Sequence, residues 1–384
     1  MPWKKVSLMD ERVSFVTHVL EKRHSVSDLC ELYGISRKTG YKWVNRYKLE
    51  GTLGLVEKSR APLSSPHHVD EAVEHIILDV KNQFPSWGAP KIFAYLTRNS
   101  LGLKIPSTTT IGRYLRLNNL ALPKKKTSSL KFKSKCLTPA KEPNSVWAAD
   151  FKGDFLSRCG TKNYPLTVTD LSSRYLLCCQ SQYGTSLEET MSNFKLVFQE
   201  YGLPAVIRTD NGSPFFSPHG ISKLSIWWIK LGIKPEQIAR GRPQQNGCHE
   251  RMHRTLKEDA IDPRKYDFHE QQLRFNKFKE VFNDVRPHEG INNNVPGELY
   301  NSSNKRYPKK IKAYDYPSHF ELRTIKKMGA FSLNDKHWFV SHGLAYERIG
   351  LEQVDEGIWS LYFRQYKLGI LDERKQRFIG KMML

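Results

Sequence analysis

Three carboxylates carry the chemistry this sequence suggests: Asp150 in "VWAADFKGDF", Asp210 in "PAVIRTD" and Glu250 in "GRPQQNGCHERMHRTLKED". Asp150 lies within or at the end of one strand-like run, and Asp210 ends another. Glu250 lies on a predicted helix that starts near Gln244. There Glu250, His253, Arg254 and Lys257 fall at i, i+3, i+4 and i+7, on one face. Met252 and Leu256 fall on another face, suited to a core. A Glu among cations reads in two ways. One is an ordinary i,i+4 ion pair worth a few tenths of a kcal/mol. The other is a ligand, because strand ends and the adjacent helix are where an open α/β sheet gathers ligands. Three carboxylates brought together repel. Two hard divalent cations, Mg²⁺ or Mn²⁺, would compensate them. Two such ions can activate an attacking oxygen and stabilise a leaving one on phosphorus. That chemistry takes a polyanionic substrate.

The charge balance points the same way. The net charge is +22 over 384 residues, which implies an anionic partner, nucleic acid first. Residues 1–140 alone hold 24 Lys plus Arg against 11 Asp plus Glu. No apolar run approaches the roughly 18 residues that span a bilayer. The start, "MPWKKVSLMDERVSF", has no signal-peptide pattern, so a cytoplasmic, nucleoid-associated protein of bacterial type is expected. The six cysteines contain no CxxC, and Cys178 and Cys179 would point to opposite sides of a strand. Reduced thiols and no zinc site follow.

These carboxylates need elements to position them, and the chain supplies a clear succession. Residues 10–24 have helical apolar spacing, with Val13, Val16 and Leu20. Then "SVSDLCELYGISRKTGYKWVNRYKLEG" reads as cap, short helix, Gly34 turn, Ser36 cap and second helix, a helix-turn-helix unit. Its second helix offers Arg37, Lys38, Thr39, Lys42 and Arg46 to the major groove and its phosphates. A linker rich in Gly, Ser and Pro follows at 51–68. Residues 66–120 read as a second helical unit, with Thr108, Thr109, Arg113 and Arg116 outward. The alternative for either unit is a structural bundle with a solvated basic face. Residues 121–145, with Lys124, Lys125 and Lys126, read as a basic tether along DNA phosphates or as a solvated linker. From Val146, three strand-like runs lead into alternating helices and strands, giving a mixed sheet flanked by helices. Beyond Pro308, many short β-runs suggest a small β-barrel.

With these elements in place, "WAADFKG", "RTDNGSPF" and "GRPQQNGCHERMHRTLKE" resemble the three signatures of DDE transposases and retroviral-type integrases, which share a ribonuclease-H-like core. The likeness is strongest to insertion-sequence transposases that carry such a core. It covers roughly residues 140–300, including "FNDVRPHEGINNNVPGELY". The resemblance implies that Asp150, Asp210 and Glu250 are the catalytic, metal-binding triad. It matches Asn211 and Gly212 to the turn after the second Asp, and Gln245, Asn246 and Gly247 to the loop before the Glu helix. Thirty-nine residues separate Asp210 from Glu250, more than in many members. The surplus fits the "FSPHGISKLS" loop. Cys248 stands where relatives often carry a basic or polar residue.

Rivals exist for each role. Asp154 reads as a turn residue, and Asp170 as support for its strand or for the turn to Ser172 and Ser173. Glu258 and Asp259 are two turns beyond Glu250, too far to share its metal. Gln245, Asn246, His253, Arg254 and Lys257 are expected to hold DNA beside the triad, with a proton-shuttle role as the alternative for His253. Arg286 and His288 in "RPHEG" are either structural caps or catalytic groups.

The expected architecture is therefore multidomain. All-α helix-turn-helix domains (1–55 and 66–120) precede a basic linker (121–145). A ribonuclease-H-like α/β core (146–305) and a small β-barrel (320–384) follow. The implied protein is an insertion-sequence transposase. It binds its element's terminal inverted repeats and target duplex DNA, as a homodimer or larger oligomer bridged by DNA. It cleaves and joins strands with two Mg²⁺ or Mn²⁺ ions per site. A catalytically silent repressor of the same ancestry and a nuclease that cuts without joining are the alternatives.

Overall fold

The computed structural model describes residues 7–58, 69–100, 102–121, 137–215, 221–239 and 242–380. The chain forms two compact units, Met1–Val69 and Asp70–Leu384. In the first, α1 (Leu8–Leu20), α2 (Val26–Leu32) and α3 (Arg37–Glu50) each open on a serine cap. Ser7 and Asp10 form a reciprocal capping box, while Ser25 and Ser36 accept from the backbone N–H groups of Asp28 and Thr39. Gly34 takes a positive φ of 63° between α2 and α3, the tight turn a side chain would resist. Phe15, Val16, Leu29, Cys30, Trp43, Val44 and Leu55 make the core, so each helix contributes one apolar stripe. Gly40 lets α3 approach Cys30, whose sulfur a Cβ there would strike.

The second unit begins with α4 (Glu71–Gln83), α5 (Ala89–Asn99) and α6 (Thr108–Leu117). Asp70 caps α4 and Ser107 caps α6. Val73, Ile77, Ile92, Leu96, Ile111 and Leu115 are buried, and Trp87 stacks on Phe84 at 4.0 Å.

The central sheet follows. It is built from β1 (Val146–Phe151), β4 (Leu166–Asp170), β5 (Leu176–Gln180), β6 (Val206–Thr209) and β7 (Lys234–Gln237), in the order β5-β4-β1-β6-β7. A side hairpin pairs β2 (Phe155–Leu156) with β3 (Lys162–Asn163). β1 pairs antiparallel with β4 and parallel with β6, so the sheet is mixed. The sheet is covered on both faces. Trp147, Ala149 and Leu177 pack with Phe194 and Phe198 of α7 (Leu187–Tyr201) and Trp228 of α8 (Lys223–Lys230). Leu176 and Cys179 pack instead with Met252 and Leu256 of α9 (Gly247–Leu256) and Phe275 of α10 (Phe268–Glu280). Cys178 and Cys179 thus face opposite sides, as strand geometry requires. A short α11 (Pro296–Leu299) follows. No helix among the described residues is long and apolar enough to cross a membrane.

The C-terminal region departs from expectation. β8 (Glu321–Thr324), β11 (Arg348–Asp355), β12 (Ile358–Phe363), β13 (Tyr366–Asp372) and β14 (Arg377–Gly380) form an open antiparallel sheet in the order β14-β13-β12-β11-β8. β9 (Ala330–Leu333) pairs only with β10 (Lys336–Phe339) as a separate hairpin. The expected small β-barrel therefore does not close among the described residues. The physical reason lies in the packing. Ile226 and Ile229 of α8, with Ile221 before it, join Phe331, Trp338, Leu351 and Leu361 in one core. α8 thus supplies part of the apolar cover of this sheet, from outside the C-terminal strands.

Candidate active site

Asp150 sits one residue before the end of β1, opposite Thr167 of β4. On its other side β1 runs parallel to β6, with Ala149 opposite Thr209, so Asp210 follows directly off the neighbouring strand end. Glu250 occupies the first turn of α9, on an exposed position. α9 lies against the sheet through His249, Met252, His253 and Leu256, which places Glu250 at the same end of the sheet. Asp150 lies within electrostatic reach of both Asp210 and Glu250. Burial pushes the Asp150 carboxyl up to about 7, and the charges of Asp210 and Glu250 add to that rise. The site presents three carboxylates as oxygen donors, a set matched to hard divalent cations.

The surrounding loops hold this geometry. Asp210 Oδ1 accepts from Gly212 N at 3.0 Å, and a Cβ at residue 212 would crowd that carboxylate. Asn211 Nδ2 donates to Ile238 O at 3.0 Å, tying the turn after β6 to the end of β7. Gln245 Oε1 accepts from Ala239 N at 2.7 Å, tying the same region to the start of α9. Between β6 and β7, Arg208 Nε donates to Glu236 Oε2 at 2.8 Å, with Arg208 buried and Glu236 half-buried. Thr138 donates to Glu236 through N (2.9 Å) and Oγ1 (2.7 Å), and Arg208 Nη2 donates back to Thr138 O at 2.7 Å. The ion pair is thereby hydrogen-bonded on both partners.

α9 differs from the sequence reading at one residue. Glu250, Arg254 and Lys257 are exposed, as their shared face requires. His253 is 8% exposed and turns inward, so it is not offered to a phosphate in this structure. Its Nε2 and that of His249 each lie 2.8 Å from Thr167 Oγ1. Thr167 Oγ1 donates to Asp150 O at 3.0 Å. The two rings meet edge to face with centroids 4.6 Å apart. Burial lowers His249 to about 3, and burial with the neighbouring His249 lowers His253 to about 2, so both imidazoles are neutral at pH 7. His249 was not anticipated. Its i,i+4 relation to His253 was the available signal.

The rival carboxylates take other work. Asp170 is fully buried and accepts from Asn144 N (2.9 Å), Ser173 N (2.8 Å) and Ser173 Oγ (2.6 Å), closing the turn after β4. Asp154 makes an exposed ion pair with Lys162 at 3.3 Å. Asp259 pairs with buried Arg286 at 2.9 Å, and His288 Nε2 contacts Phe282 O at 3.1 Å. Arg286 and His288 are thus held by contacts to Asp259 and to Phe282. The Arg174 guanidinium donates to the sulfur of Cys248.

The other candidate DNA contacts are placed as follows. Arg37 and Lys38 are exposed on the first turn of α3, whereas Thr39 Oγ1 bonds Ser36 Oγ at 2.9 Å within the cap. Lys42 and Arg46 lie over the Trp43 ring at 4.4 and 5.3 Å, beside Arg12 at 4.0 Å. Thr108, Thr109, Arg113 and Arg116 are exposed on α6. Thr108, Thr109 and Arg116 line a cleft of about 1590 Å³ that Glu258, Asp259 and Asp262 also line. Gln245 is half-buried and Asn246 is buried. Lys124, Lys125 and Lys126 lie outside the described residues.

Comparison with known proteins gives these features a context. The integrase core domain family matches residues 140–243, and a second integrase core domain family matches 231–296. A helix-turn-helix domain family matches residues 11–62, and a homeodomain-like domain family matches 39–115. Among curated proteins, the Gag-Pol polyprotein of feline leukemia virus is 26% identical over 170 residues, covering 44% of this chain. The Pol polyprotein of radiation murine leukemia virus (strain Kaplan) is 32% identical over 118 residues, covering 30% of this chain. The matches span only 10% and 19% of those two polyproteins. Among solved structures, the HTLV-2 integrase catalytic core domain in complex with magnesium aligns with a TM-score of 0.31 and 18% identity. It covers 42% of this chain and 98% of its own. A simian T-cell lymphotropic virus intasome in complex with a PP2A regulatory subunit aligns at 0.38 with 15% identity, covering 75% and 96%.

Proposed function

We propose that this chain, which carries an integrase core domain preceded by helix-turn-helix and homeodomain-like domains, is the transposase of an insertion sequence. Its helical regions, within 1–55 and 66–120, bind the element's terminal inverted repeats. Its core, within 146–305, cuts a DNA strand with water and then joins the freed 3′-hydroxyl to target DNA. The segment 121–145 links them, and the open C-terminal sheet within 320–384 contacts DNA or another subunit. Two ends are processed together, so the working form is a dimer or larger assembly bridged by DNA.

The observation that carries this reading is the placement of Asp150 on β1, Asp210 just after β6 and Glu250 on α9, with the Asp150 carboxyl raised by burial and then by the charges of Asp210 and Glu250. Asp150, Asp210 and Glu250 would hold two Mg²⁺ or Mn²⁺ ions. When bound, such ions supply charge stabilisation at phosphorus and at the attacking and leaving oxygens. Arg254 and Lys257, exposed beside Glu250, hold the DNA backbone and so position the scissile phosphate. Gln245, half-buried, contacts DNA where its loop meets the helix, whereas the buried Asn246 is not offered to DNA in this structure. On α3, Arg37 and Lys38 make the freest phosphate contacts, with Lys42 and Arg46 flanking them. Because water and then a DNA hydroxyl are the nucleophiles, no protein side chain forms a covalent intermediate.

The test is strand joining. Purified protein, Mg²⁺ or Mn²⁺, a labelled duplex carrying the element's terminus and a supercoiled target are combined. Asp150→Asn, Asp210→Asn and Glu250→Gln run alongside. Joined product from the wild type and none from the three variants is expected. Cleavage without joining would replace the reading with a nuclease. Tight end binding with neither product would replace it with a repressor.

A further inference from the structure

We propose that Asp150, His249 and His253 form a second kind of metal site, one that takes a borderline transition cation such as Zn²⁺ or Co²⁺. A carboxylate oxygen of Asp150 and one ring nitrogen from each histidine all lie within 4.8 Å of one another. Bonds of about 2.1 Å to such a cation place neighbouring donors roughly 3.4 Å apart, so a modest inward movement of the side chains completes the site. The two histidines stand at i and i+4 on the inward face of α9, which sets their rings side by side.

Hydrogen counting supports a ligand role. Thr167 Oγ1 has one proton and two lone pairs. It gives the proton to Asp150 O, so it can only accept from the two imidazoles. Each neutral ring then donates Nε2–H and keeps a bare lone pair on Nδ1. His249 Nδ1 has no hydrogen-bond partner and the residue is fully buried. An unpartnered buried nitrogen calls for an explanation, and an ion is one. With Nδ1 as the ligand atom, the Thr167 contact is the outer-shell bond that a metal-ligating histidine normally makes through its other nitrogen. Two imidazoles and one carboxylate suit Zn²⁺, Co²⁺ or Fe²⁺, while Mg²⁺ prefers oxygen. The cysteine spacing, which argued against zinc, says nothing of this donor set.

Asp150 belongs to both sites, so the two occupancies exclude each other. On the function proposed above, Zn²⁺ seated on the imidazoles withdraws Asp150 and inhibits the Mg²⁺-supported reaction. The binding itself does not depend on that function.

The experiment is a Co²⁺ titration of the full chain, stripped with chelator and without DNA, followed by visible absorption. The wild type is expected to develop saturable d–d bands that shift with imidazole ligation. His249→Gln, His253→Gln and Asp150→Asn should each lose the bands and weaken Co²⁺ binding about tenfold or more. Glu250→Gln should keep them. Circular dichroism checks that each variant is folded. Should a histidine variant unfold, ring ¹⁵N spectra of the wild type with and without Zn²⁺ answer the same question. Bands that persist in both histidine variants, or ring nitrogens that Zn²⁺ leaves unshifted, overturn the proposal. The histidines would then serve only to bond Thr167. Failure of strand joining leaves these spectra untouched, so the two readings fail separately.

Discussion

Asp150→Asn should make the metal-free protein more stable at pH 8. The Asp150 carboxyl is raised from 3.8 to about 7 in the fold. That is about 3 units, and at 1.36 kcal/mol per unit the ionised form costs roughly 4 kcal/mol. The sign follows from proton binding. The folded state holds this proton more tightly than the unfolded state. Stability is therefore fully present below about pH 4 and is lost as pH rises through about 7. The neutral amide removes the whole penalty at pH 8, whereas at pH 5 only about two-fifths of that penalty is present to be removed. The assay is thermal melting in chelator at both pH values. A gain of several degrees at pH 8, clearly smaller at pH 5, is expected. Added Mg²⁺ should raise the wild-type melting temperature by binding the folded state alone, and should do much less for the variant. An equal or lower melting temperature for Asp150→Asn at pH 8 would refute the claim that the site stores charge for a cation.

Glu236→Gln should cost about 3–5 kcal/mol in urea unfolding, because it leaves the buried Arg208 guanidinium without its countercharge. Gly202→Ala should lower the melting temperature by several degrees. Gly202 ends α7 at φ 79°, and a Cβ there would come within 2.7 Å of Ser303 O. Lys38→Ala should weaken binding to all duplexes alike and reduce the slope of log affinity against log salt by about 1. An unchanged slope in anisotropy titrations would remove Lys38 from the phosphate contacts.

What the sequence made legible was local and periodic. Ser36, read as a cap, does cap α3, because a cap is decided within four residues. The strand-like run of β1 was readable because a strand covered on both faces buries successive residues, and Val146–Ala149 are all buried. The C-terminal strands were legible one by one, yet their closure was not. Closure depends on which partner covers the sheet, and that partner is α8, about a hundred residues upstream. Lys42 and Arg46 read as groove-facing cations, but a buried Trp43 beneath them gives both a cation–π partner inside the protein.

The inward turn of His253 shows where a helical wheel runs out. At 100° per residue, His253 lies about 60° from Glu250 on one side and about 60° from Leu256 on the other. Periodicity alone leaves its direction open. The decision rests with what each side offers. Toward Glu250 there is water, and toward Leu256 there is the Thr167 hydroxyl on β4, directly beside Asp150. That hydroxyl has room for two donors, and His249, 40° away on the wheel, takes the other place. A polar anchor from a strand some eighty residues earlier thus fixes the rotation of α9 and, with it, the direction of Glu250. Thr167→Val removes that anchor and leaves two buried imidazole N–H groups without an acceptor, each costing about 1–3 kcal/mol. If Thr167 orients the helix, the variant should also lose apparent Mg²⁺ affinity while remaining folded. Unchanged Mg²⁺ dependence would mean that Met252 and Leu256 set the rotation by packing alone.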